Sequence, residues 1–105
     1  TFAKTIVEEM PEFPGGESAL IDYFNKNMKY PVAAKQKGIE GRVYINFIIS
    51  KKGKVMYPYV IRGISGNCNE EALRLIREMP LWKPGKEKGK AVLVRYNLPV
   101  KFSLK

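Results

Sequence analysis

Apolar residues recur along this chain with two different periods, and the switches between them lay out its elements. From Glu17 onward, Leu20, Ile21, Phe24 and Met28 return at helical spacing and predict a first helix over about 17–27 with those side chains on its packed face. Tyr30 ends it, because the residue before a proline avoids the helical region. Pro31 suits a helix start, so Val32 to Lys37, closed by Gly38, reads as one or two further turns. At Gly41 the period changes to two: Val43, Ile45, Phe47 and Ile49 share one face and Arg42, Tyr44, Asn46 and Ser50 the other. Lys51, Lys52 and Gly53 turn this strand into Val55–Arg62, an antiparallel hairpin. After GISGN at 63–67 a second helix is expected from an Asn69 N-cap to Met79. Its inward residues are Ala72, Leu73, Ile76 and Met79, with Glu70 and Glu71 at its positive end. The stretch 81–90, LWKPGKEKGK, reads as a loop. A third strand follows over 92–104, where Val92, Val94, Tyr96, Leu98, Val100, Phe102 and Leu104 alternate with mostly polar residues.

Proline orders these strands. It removes a ladder donor, so strands that carry one belong at sheet edges. The second strand holds Pro58 and the third Pro99, while the first holds none. The expected fold is therefore α+β, a two-layer sandwich: a three-stranded antiparallel sheet of order 2-1-3 with two helices on one face. The third strand is then an exposed edge that outruns the first, and an edge of that kind invites another strand. Residues 1–10 show no period and lead into PEFPGGE, which reads as a linker or approach segment to a domain spanning 11–105.

At 105 residues, with 45% apolar content, the chain suits one compact domain, and it holds no apolar run long enough to span a membrane. The net charge of +9 is unevenly placed: residues 1–25 carry −4, so the rest of the chain carries +13. A body this basic suits nucleic acid, an anionic envelope surface or acidic peptides. Chemistry is poorly provided for. There is no histidine, which removes the commonest general base and metal ligand, and Cys68 is the only cysteine. Neither a cofactor nor a metal is called for. Gly63-Ile64-Ser65-Gly66 misses the spacing of a nucleophile elbow, and GKEKGK at 85–90 misses that of a phosphate loop. Cys68 reads as a small packing residue, and Trp82, beside a helix end, as core.

Five segments, FPGGE at 13–17, NMKYP at 27–31, GIEGRVYINFIISKKGKV at 38–55, EEALRLIREMPLWKPG at 70–85 and LPVKFSL at 98–104, carry a resemblance in this order and at these separations. Together they resemble the C-terminal domain of TonB, the periplasmic energy-transducing protein of Gram-negative bacteria, from about residue 11 onward. The resemblance implies a non-enzymatic domain that grips a short extended peptide, the TonB box of an outer-membrane receptor. It would thereby pass on force from a proton-driven inner-membrane complex for uptake of siderophores or other nutrients. It also implies a periplasmic domain anchored in the inner membrane by a helix and a Pro-rich spacer upstream of Thr1.

Residue by residue, Asn27, Lys29, Tyr30 and Pro31 match the Tyr-Pro segment beside the docked peptide. Arg95, Tyr96, Asn97, Leu98, Val100, Lys101 and Phe102 match the docking strand, whose backbone is the site. Asn27 to Pro31 read equally well as a helix terminator with Tyr30 packed. Pro99 removes one donor from the edge and leaves the docking register open. Two copies exchanging strands through the edge is a further expectation. Other readings are the same domain appended to an envelope sensor or peptidase-type protein and, from another class, a basic nucleic-acid-binding module; the TonB reading itself calls for no nucleic acid.

Overall fold

The computed structural model describes residues 3–104. Its elements are α1 (Gly16–Asn27), α2 (Val32–Gln36), β1 (Gly41–Ile49), β2 (Val55–Arg62), α3 (Gly66–Arg77), β3 (Lys86–Glu87), β4 (Lys90–Ala91) and β5 (Val94–Phe102). β2, β1 and β5 form one antiparallel sheet in that order, so the proline-free strand is central as its composition requires. Val43, Ile45, Phe47 and Ile49 of β1 are fully buried, as are Val94 and Val100 of β5, and Ala72, Leu75 and Ile76 of α3 close over them. Each such side chain contributes about 1.5–3 kcal/mol by leaving water, and the alternation in sequence is the trace of that one buried sheet face. Among the described residues no helix is long and apolar enough to cross a membrane.

The helices depart from expectation in register. In α1, Ile21 faces solvent and Tyr23 takes the inward position. Tyr23 lies about 200° round the helix from Ile21; its ring packs on Phe13 and Phe24 at 5.5 and 5.6 Å and its hydroxyl donates to the Leu75 carbonyl. α3 starts three residues before the expected Asn69, because Ser65, in extended conformation, is an equally good cap: its Oγ accepts the Cys68 N–H at 3.1 Å. Asn69 instead accepts the Ile64 N–H at 3.1 Å and holds the preceding turn. Glu70 and Glu71 consequently lie beyond the first turn, and Leu75 joins the inward face. Cys68 and Trp82 are buried as read, the indole in edge contact with Phe13, Phe47 and Tyr96.

The strands differ too. β5 covers Val94–Phe102 and matches β1 residue for residue from Gly41↔Phe102 to Ile49↔Val94, so it does not outrun it. Val92 is drawn off by a bond from its N–H to the Gly85 carbonyl, and the Leu104 N–H donates to Glu40 at 2.9 Å. Within the expected 81–90 loop, β3 and β4 form a two-stranded ribbon whose turn, Lys88-Gly89, takes positive φ at both residues, the geometry a two-residue hairpin needs. β2 carries two bulges: Tyr57 and Pro58 together face Phe47, and Ile61 is an extra residue beside the Tyr44/Ile45 step. Tyr57, at φ 53, and Ile61 are both turned to solvent.

Candidate functional site

The two faces and two edges of the sheet are not equivalent. Helices cover one face; β2 and β5 supply the edges. Along β5 the direction of each backbone group follows from the contacts at its start. The Arg95 N–H donates to the Lys4 carbonyl at 2.7 Å and the Leu93 carbonyl accepts the Lys4 N–H at 3.1 Å, so odd-numbered residues turn their backbone groups away from β1. Even-numbered residues bond to β1. Asn97, Pro99 and Lys101 therefore present their backbone outward, two N–H groups and three carbonyls, and among the described residues none of these five has a main-chain partner. Pro99 sits at an outward position, where its missing N–H costs the β1–β5 ladder nothing.

The edge is not open over its whole length. Lys4 forms a parallel bridge with Val94, and residues 9–12 pair antiparallel with 83–86 through Glu9–Lys86 and Glu12–Lys83 bonds at 2.8 to 3.0 Å. The Lys4 ammonium, 2.6 Å from Glu87, holds that carboxyl below the usual range. The approach segment thus lies against the head of β5 and leaves about Tyr96–Phe102 as the accessible window. Lack of a period in residues 1–10 hid this, since a single bridge needs no alternation.

The structure divides the expected site residues. Tyr96, Leu98, Val100 and Phe102 point into the core, and only their neighbours Arg95, Asn97 and Lys101 turn side chains to the helix-free face. There Arg95 Nη1 donates to Asn46 Oδ1 at 2.7 Å and Asn46 Nδ2 donates to Asn97 Oδ1, which explains how Asn46 is buried on the face expected to be wet. Tyr30 is brought to the far end of β5, its ring 5.6 Å from that of Phe102 and edge-on. Desolvation, with Cys68 and Glu40 nearby, pushes its phenol up, so it stays a donor to the Ile39 carbonyl.

Asn27, Lys29 and Pro31 face elsewhere. The Asn27 carbonyl accepts from Arg74 Nη2 at 2.8 Å and the Lys29 N–H donates to Glu71 at 2.7 Å, while Arg74 pairs with Glu71 and Glu78. Lys29 and Pro31 line an open depression of about 540 Å³ with Val32, Glu71, Arg74 and Arg77, and no residue of β5 borders it. Burial pushes the Glu71 carboxyl up, but its bonds from Arg74 and Lys29 outweigh that and hold it below the ordinary range. A depressed carboxyl stabilises the fold fully above its unfolded-state value and loses that contribution as pH falls through the folded one. We therefore expect Glu71→Gln to cost about 1.5 kcal/mol at neutral pH and progressively less as acidification protonates the folded-state carboxyl, checked by denaturant unfolding at a series of falling pH values.

Sheet order, helix placement and an outward-facing edge define a small α+β interaction domain, and comparison with known proteins says which. Residues 26–104 match the family described as Gram-negative bacterial TonB protein C-terminal. Two solution structures of the Helicobacter pylori TonB C-terminal domain superpose on the chain at 25% identity. One has a TM-score of 0.63 over 84% of this chain and 92% of that one; the other has 0.57 over 88% and 87%. None of the curated protein sequences matches. The chain belongs to the TonB C-terminal family. Members of this family are periplasmic, non-enzymatic modules of energy transduction that interact with outer-membrane receptors, and the domain is accordingly not an enzyme.

Proposed function

We propose that this domain is the gripping end of a TonB-type transducer: it takes an extended receptor peptide as a fourth strand on the outward edge of β5 and holds it while force arrives from upstream. The observation that carries this is the run of backbone groups at Asn97, Pro99 and Lys101 that have no main-chain partner among the described residues. Pairing of main chain with main chain lets one domain serve receptors whose boxes differ in side chains. The window offers few bonds at about 1 kcal/mol net each, which after the cost of ordering the peptide predicts binding near the micromolar range and an attachment that can cycle. Tyr30, packed on Phe102, borders the end of the window, whereas Asn27 and Lys29 serve by tying the end of α1 to α3 and Pro31 by starting α2. Residues 1–10 act as the approach from an inner-membrane anchor and its proton-channel complex, and nutrient uptake is the process served.

Titrating the chain with a receptor N-terminal peptide and with single-stranded DNA across salt tests this. The peptide should shift the Asn97 and Lys101 amides with a shallow salt slope; shifts elsewhere, or a steep slope with DNA binding tighter, would sink it.

A further inference from the structure

The register of the sheet places two cations face to face. Arg42 of β1 lies directly opposite Lys101 of β5, and both side chains are exposed on the helix-free face. Because the odd residues of β1 carry the bonds to β5, this is a non-hydrogen-bonded pair, the closer kind, with Cα atoms about 4.5 Å apart. Like charges so placed repel. Among the described residues neither side chain has an ion-pair partner, and β1, β2 and β5 contain no acidic residue at all. Glu40, at the same end of the sheet, accepts the Leu104 N–H at 2.9 Å and forms no ion pair with either. Glu40, Gly41, Arg42, Lys101, Phe102 and Ser103 surround an open depression of about 230 Å³ at this end of the sheet. Lys101 is also one of the two outward N–H donors of the docking window.

We propose that Arg42 and Lys101 form a carboxylate site that reads the docked peptide: the peptide residue paired with Lys101 carries an Asp or Glu. Residues directly opposite in neighbouring strands share a face, so that side chain emerges beside the Lys101 ammonium with Arg42 one strand further in. Binding then relieves a repulsion present in the free domain as well as forming a new pair. Asn97 offers its peptide neighbour no charge, and Pro99 offers it only a carbonyl, so the cation pair also breaks the register degeneracy of a main-chain site. The inference rests on strand addition at β5.

The test uses blocked peptides of alternating Val and Thr in which one residue of the face is either Glu or Gln, scanned position by position, with affinities and amide shifts followed by NMR. At one position only, the Glu peptide should bind about fivefold tighter than its Gln twin, the size of an exposed ion pair. That ratio should fall to about one in Lys101→Gln, shrink in Arg42→Gln, and fade at about 0.5 M salt. Equal affinity of Glu and Gln peptides at every position, with Asn97 and Lys101 amides still shifting, overturns the carboxylate site and leaves the edge. Failure of every peptide to shift the edge overturns strand addition, and this inference with it.

Discussion

Replacing Lys101 by proline is expected to lower affinity for an edge-docking peptide about tenfold while the melting temperature stays within a few degrees of the parent. The Lys101 N–H points away from β1, so no bond of the β1–β5 ladder depends on it. Its loss removes one of two donors in the window and strands a peptide carbonyl against the edge, a cost of about 1–3 kcal/mol. Lys101→Gln keeps the N–H and removes only the charge, so the proline variant should bind the neutral Val/Thr peptide about tenfold more weakly than the glutamine variant. The neighbouring change, Val100→Pro, should do the opposite of a clean edge lesion. The Val100 N–H faces β1, and its removal should unfold the domain or lower its stability by about 3 kcal/mol. Titration and thermal melting of the three variants check this; an edge that binds equally well with Lys101→Pro would mean that the peptide docks elsewhere.

Gly53→Ala should be among the most damaging single-methyl changes in the chain. Gly53 ends the β1–β2 turn at φ +88, and a Cβ there would lie 1.9 Å from the Trp82 carbonyl oxygen. The two residues cannot simply part, because the Trp82 N–H donates to the Gly53 carbonyl at 2.8 Å and the indole is anchored in the core. Gly89 has nearly the same φ, +77, yet a methyl added there would meet nothing within 4 Å. Gly89→Ala should therefore cost only the left-handed penalty, about 1–2 kcal/mol, and Gly53→Ala about 3 kcal/mol or more. Denaturant unfolding of both measures the difference; equal losses would show that the Gly53–Trp82 contact yields freely.

Most of the fold was legible in the order of residues alone. A half-buried strand must alternate, so Val43 to Ile49 and Val94 to Phe102 announced both their strands and their inward faces. Pro58 and Pro99 placed their strands at the edges because the missing N–H has to face outward, which Pro99 does. Less of the candidate site was legible. That β5 is an edge strand was, but Asn27, Lys29 and Pro31 sit beside α3 rather than on that edge, since nothing in local spacing tells which neighbour a helix terminus will meet.

What the sequence determined by itself is therefore much of what neighbours along the chain set: the long strands and helices, the inward faces of β1 and β5, the β1–β2 turn, and which strands could be central. Only the tertiary structure decided relations between residues far apart in number. It placed Lys4 on the head of β5, Tyr30 against Phe102, and Arg42 opposite Lys101. The physical reason is that periodicity records burial, which each residue experiences singly, whereas register and cross-strand charge are properties of pairs. A one-residue slip between β1 and β5 would leave the composition of each strand unchanged and part those two cations.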